Sequence, residues 1–189
     1  MTRELIIGRD VPWNASWSGE ERYTIQLCRW TGRPYTTGGQ RPAIRQPNRP
    51  GEGRPLFAHP HMVRQRKSVA LMLCTVCGEP TAEGDRWMFS MGERQVIQGV
   101  EAWLTTESPV HCRCAELAAE ACPVLRRGGF KPARFPDRYA VLAQLVGGPE
   151  LEKTHGLKVD PARPVVGHLK IALEPSAIRT AFGAELAAG

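Results

Sequence analysis

The sequence predicts an α+β protein, and three observations carry that expectation. Short apolar segments of strand length and alternation recur from end to end, notably Arg22–Cys28, Arg138–Val146 and Val165–Leu173. Two stretches, Met62–Leu73 and Ser108–Pro123, have helical length and end signals. Two Cys/His pairs of short internal spacing, Cys74/Cys77 and His111/Cys114, stand 33 residues apart. That spacing lets one chain close a four-ligand tetrahedral metal centre.

Taken in order, Arg3–Ile7 and Arg22–Cys28 read as strands, and Trp13 and Trp17 flank a turn-prone stretch that helps cover the core. Residues 29–67 hold six prolines and five glycines, so about residues 31–55 are expected as an extended arm or irregular loop. Met62–Leu73 is basic first and apolar afterwards, a helix feeding Cys74, with a strand at its end as the competing reading. Beyond the second helix, Arg126–Gly129 breaks the chain, and Arg138–Val146 and Val165–Leu173 form a second sheet or hairpin. Ser176 caps a short last helix through about Ala187. The expected organisation is residues 1–30 as N-terminal strands, 31–60 as a basic arm, 61–125 as a zinc-binding module and 126–189 as a C-terminal hairpin and helix.

Helical geometry selects the ligands. With Ser108 as N-cap and Pro109 in the first turn, His111 and Cys114 fall on one face about one turn apart. Leu117, Ala118, Ala121 and Leu125 continue that face, whereas Cys112 points about 200° away from Cys114. Cys74, Cys77, His111 and Cys114 are therefore the candidate ligands of one structural Zn2+. Cys28, Cys112 and Cys122 read as core or surface thiols, with Cys122 the substitute should His111 not bind. A redox reading of Cys74–Cys77 needs a strand–turn–helix context, but Gly78 and Pro80 favour a knuckle turn.

A C-x-x-C-G knuckle followed, after hairpin-forming sequence, by H-x-x-C at a helix start resembles a treble-clef zinc domain over about residues 70–125. The resemblance implies the same four ligands, a structural ion and hairpin strands supplied by Arg86–Met91 and Trp103–Thr106, and since the stretch is long for a minimal treble clef it also implies an insertion around residues 93–102. The whole-chain pattern also resembles uncharacterised small proteins of high-GC bacteria and their phages, which adds a setting and no activity.

Charge is segregated. Arg29, Arg33, Arg41, Arg45, Arg49, Arg54, Arg64, Arg66 and Lys67 face a single acid, Glu52, across residues 29–67, while the zinc module is acidic. A flexible basic arm interleaved with Trp30, Tyr35 and Phe57 suits a phosphate backbone. Arginines outnumber lysines 20 to 5 in an Ala-, Gly- and Pro-rich chain, so the same segment also reads as a solvated loop. No apolar run reaches the roughly 18 residues of a membrane span, and the N-terminus lacks a signal-peptide core. Six cysteines without an export signal predict a reducing cytoplasm.

Enzyme signatures fail. No H-x-E precedes the C-x-x-C as zinc deaminases require, and no histidine lies between Cys77 and His111 to serve an HNH-type nuclease. Phosphate-loop, dinucleotide, G-x-S-x-G and H-E-x-x-H patterns are missing. His59 and His61 form the remaining histidine pair and read as structural. The expected function is non-enzymatic: a regulatory or accessory module that docks on a protein partner in a nucleic-acid-processing setting, with no small-molecule substrate evident. Direct DNA or RNA binding through the arm is the alternative, and an enzyme with an unrecognised site the third.

Overall fold

The run Val165–Leu173 is buried almost throughout, interrupted only at His168 and Lys170, as expected of a strand covered on both sides. It is the centre of the fold. The structure, a computed structural model, describes residues 5–29, 40–90, 92–97 and 100–173. In chain order the elements are β1 (Ala15–Trp17), β2 (Thr24–Arg29), β3 (Gln40–Arg45), β4 (Pro55–Pro60), α1 (Met62–Leu71), β5 (Trp87–Met88), β6 (Glu93–Ile97), β7 (Val100–Thr105), α2 (Cys112–Ala121), α3 (Pro123–Gly128), β8 (Ala133–Arg134), β9 (Tyr139–Val146), α4 (Pro149–His155) and β10 (Val165–Leu173). The protein is thus α+β. Among the described residues no helix is long and apolar enough to cross a membrane.

The main sheet is built around β10. β9 runs antiparallel along one side of it, from Val146 opposite Val165 to Tyr139 opposite Leu173. The other side is divided: β3 meets it in parallel at Val166, and β7 meets it antiparallel from Ile171 to Leu173. β2 extends the sheet beyond β3, and β6 extends it beyond β7. α1 packs across β10 and buries Val69 and Met72 against Val166, Leu169, Ile171 and Leu173. Each such side chain removed from water contributes about 1.5–3 kcal/mol.

The gap between β3 and β7 leaves backbone groups of β10 without a strand partner, and α1 supplies them. Gln65 Nε2 donates to Leu169 O and Thr106 O, both at 2.7 Å, while its Oε1 accepts from Leu169 N–H at 3.0 Å. Arg66 donates to the carbonyls of Gly167 and Ile44. Two long polar side chains on a buried helix face are explained by this task.

Arg64, one residue before Gln65, points elsewhere. Its guanidinium meets Glu20 Oε1 and Oε2, both at 2.8 Å, and donates to Ala15 O at 2.6 Å. Glu20 also accepts from the backbone N–H of Trp17 and Arg49, so one fully buried carboxylate ties β1 and the loop after β3 to α1. Burial alone would raise the Glu20 carboxyl, but the Arg64 hydrogen bond, the Arg49 N–H and the Arg64 charge hold it below its ordinary value.

Several expectations are corrected here. Residues 40–60 are folded, not an arm: Ala43 and Ile44 are fully buried in β3, and β4 pairs with β1. A short apolar dipeptide between arginines and prolines hid that strand. Arg3–Ile7 is not a strand over its described part, where Ile7 makes only an isolated bridge to Val11. The insertion around residues 93–102 is itself the β6–β7 hairpin of the main sheet, whereas the Arg86–Met91 stretch contributes β5, which pairs with β8. The last helix, about residues 176–187, lies outside the described residues.

Candidate metal centre

α1 ends at Leu71, and Met72 adopts the left-handed conformation (φ 50°) that turns the chain into Leu73 and Cys74. The knuckle closes by Gly78 N–H to Cys74 O and Cys74 N–H to Glu79 O, both 2.8 Å. Gly78 needs to be glycine on two counts. Its φ is +81°, and a Cβ there would come within 2.7 Å of the Trp13 ring. Trp13 and Asn14 donate their N–H groups to Val76 O and Thr75 O, so the N-terminal segment lies over the knuckle as a short strap.

The second pair is held from the other side. Trp87 and Val110 exchange both backbone hydrogen bonds at 2.9 Å just before α2 begins. His111 occupies the N-cap position, with α2 starting at Cys112 and not at Pro109 as expected. Ser108 does not cap the helix; its hydroxyl donates to Leu73 O at 2.7 Å and so ties the second pair to the first. Asp85 takes over the cap, accepting from Cys112 N–H at 2.8 Å and from Trp87 Nε1 at 3.1 Å. The covered stripe of α2 is Cys114, Ala115 and Ala118, packed with Cys74, Val76 and Val110; Ala121, expected on it, is exposed.

These elements bring together the four residues selected from the sequence. One ligand atom from each of Cys74, Cys77, His111 and Cys114 lies within 4.8 Å of the others, and the group is positioned to hold a metal ion. His111 Nδ1 is 3.5 Å from Cys77 Sγ and 3.9 Å from Cys114 Sγ. Its Nε2–H donates to Pro80 O at 3.1 Å, which fixes the ring and leaves Nδ1 as the free lone pair. Cys112 is outside the group, its Sγ 3.9 Å from Glu116.

Crowded thiols in this setting resist ionisation. Burial, and then the adjacent Cys74, pushes the Cys114 thiol up to about 12. Burial likewise raises Cys77, against the Glu79 N–H that favours its thiolate. A divalent cation beside Cys77 and Cys114 would reverse that balance.

Among the described residues, two of the basic side chains singled out for nucleic acid are buried. Arg64 and Arg66 are 3% and 1% exposed and committed to Glu20 and to backbone carbonyls, so they are withdrawn from that set. Arg49 pairs with Glu52 at 3.3 Å, Arg45 is half-buried, and Lys67 sits over the Trp13 ring at 5.9 Å. Arg41 and Arg54 are exposed. Arg33 and the side chain of Arg29 lie outside the described residues. His61 is structural, as expected: it caps α1 by accepting from Arg64 N–H and donates Nε2–H to Pro47 O at 2.8 Å. Sequence reading missed Asp85, Glu20 and Gln65; each acts through a partner 27 or more residues away, which leaves no local pattern. Comparison with known protein families, curated proteins and solved structures finds no match to this chain.

Proposed function

We propose that Cys74, Cys77, His111 and Cys114 bind one structural Zn2+ in a treble-clef-like setting, and that the protein is a non-enzymatic accessory module docking on a protein partner in a nucleic-acid-processing setting. The observation that carries the zinc reading is the donor geometry. A tetrahedral ion with Zn–S of about 2.3 Å and Zn–N of about 2.0 Å sets sulfur and nitrogen roughly 3.5 Å apart, and His111 Nδ1 stands 3.5 Å from Cys77 Sγ and 3.9 Å from Cys114 Sγ. Three thiolates and an imidazole suit Zn2+ over Mg2+ or Ca2+. Four protein ligands fill a tetrahedral shell and leave no position for a substrate water, which favours a structural over a catalytic ion. Knuckle first and helix-borne pair second supports the treble-clef-like reading.

The test is metal content together with cobalt substitution. The purified protein should contain one zinc per chain, and Co2+ should give the intense visible bands of a tetrahedral site with three thiolates. Cys74→Ser and Cys114→Ser should lose the metal and leave the chain insoluble or partly unfolded, while Cys112→Ser keeps one equivalent. Metal lost from Cys112→Ser but retained by His111→Ala would overturn the ligand set.

A further inference from the structure

Charge on the described surface is unevenly paired. Arg9, Arg49, Arg64, Arg94 and Lys158 each meet a carboxylate within 4.0 Å. Other exposed cations, among them Arg22, Arg41, Arg54, Arg113, Lys153 and Arg163, meet none among the described residues, and five more such cations fall close together in residues 126–138. Arg126, Arg127, Lys131, Arg134 and Arg138 are all exposed, and none of them makes an ion pair with a described residue. The only acid in residues 121–138 is Asp137. Arg126 and Arg127 stand in the last turn of α3, where the helix dipole welcomes them. That accounts for two of the five cations and for none of those that follow.

This segment is anchored at both ends on the metal-centred module. α3 follows α2 directly through the bend at Cys122, and β8 pairs with β5, placing Arg134 opposite Trp87. Arg134 is held in place by donating to Gly84 O at 2.6 Å and by lying 5.1 Å from the centre of the Trp87 ring. Between the anchors, Gly129 turns the chain in the left-handed region, and Phe130 folds over Gly128 with 46% of its surface exposed. Cations and an exposed aromatic ring are therefore presented together on a fixed base.

We propose that residues 126–138 form a docking surface for single-stranded nucleic acid, in which Arg126, Arg127, Lys131 and Arg138 neutralise backbone phosphates and Phe130 stacks on an unpaired base. Four of the five cations are arginine, whose planar fork matches phosphate oxygens two at a time. An accessible ring among them adds what an unpaired base offers and what a duplex or an acidic peptide does not. The proposal relies on the metal-centred reading only for the rigidity of its base, and it moves the contact from the 29–67 segment to the opposite flank of the zinc module in sequence.

The experiment uses metal-loaded full-length protein with its zinc content measured first, so that loss of the centre and loss of binding are read separately. Fluorescence anisotropy across a salt series follows a labelled random-sequence single strand, with duplex and poly-glutamate as competitors. R126Q/R127Q/K131Q should weaken binding at least about tenfold at low salt and lower the log–log salt slope by roughly two. F130A should weaken binding with the slope unchanged. R41Q/R49Q/R54Q should leave both affinity and slope near those of the parent. Photo-crosslinking of a bromouracil strand to the unmodified protein should mark a peptide within residues 126–138, which tests the surface without any substitution. Absence of binding, crosslinks elsewhere, loss in the R41Q/R49Q/R54Q variant alone, or equal competition by duplex or poly-glutamate would each overturn the proposal.

Discussion

At the start of α2 the capping position belongs to His111, whose imidazole is turned toward the thiols and cannot serve its own helix. Asp85 serves instead from a loop 27 residues earlier, and the same oxygen holds the Trp87 indole. Asp85→Ala should therefore cost about 1 kcal/mol as a lost cap and weaken metal retention by roughly tenfold or more as a lost support of the ligand pair. Chemical denaturation and competition with a chromophoric chelator read the two effects, and a drop in stability alone would reduce Asp85 to a helix cap. Histidines outside the metal group set the pH response. Burial holds His61 and His155 below their usual value and pushes His168 down to about 4, with Arg66 beside it. These groups bind fewer protons folded than unfolded, so their stabilisation is complete above about pH 6.5 and is lost as pH falls toward the native values. Glu20, also lowered, adds a second loss below its ordinary value of 4.5. The denaturation midpoint should fall steadily from pH 6.5 to 4, and His168→Gln should flatten that slope. A midpoint constant across this range would show that the imidazoles are not buried as described.

At the scale of elements, helix and strand identity was most readable where pattern and packing agree. The apolar run 165–173 forms β10, because a strand buried on both faces needs nothing but continuous apolar residues, and the segment at 138–146 forms the half-buried β9 beside it. α1 was expected, yet its buried face carries Arg64, Gln65 and Arg66, which periodicity would assign to solvent. Gln65 and Arg66 are there because β3 and β7 fail to meet along β10, and Arg64 because Glu20 faces it, consequences of topology that no local window contains. β3 itself reads as arm for the converse reason: its arginines and Pro42 outnumber the two residues, Ala43 and Ile44, that bury it. Gln65→Leu tests the account. Isosteric burial would be neutral for an ordinary core position, but here it strands Leu169 N–H and the carbonyls of Leu169 and Thr106. A loss of about 3 kcal/mol or more is expected, from three unmade hydrogen bonds at roughly 1 kcal/mol or more each, read by urea denaturation. A cost under about 0.5 kcal/mol would mean that β10 relaxes into one of its neighbours.

For the whole molecule, the two halves of the fold are held by different physics. The α1–β9–β10 layer has the larger apolar core, which Met88 of β5 and Phe135 also enter, whereas the knuckle and the start of α2 bury only a small cluster around Cys74, Val76, Val110 and Ala115. The ligand pairs themselves were legible in the sequence because the chemistry of an ion demands residue types at fixed spacing. What the ion would hold together was not legible, since the strap of Trp13 and Asn14 on the knuckle is a backbone contact that any residues could make. Removing the metal should leave a cluster too small to stay ordered alone. Amide exchange after chelation should then rise in residues 11–14, 72–90 and 108–121, while residues 139–146 and 165–173 keep their protection. Trp13 and Trp87 should become more exposed, shifting the emission to the red. Uniform loss of protection through β9 and β10 would instead show that the ion stabilises the fold as a single cooperative unit, with α1 carrying the effect from the knuckle into the sheet.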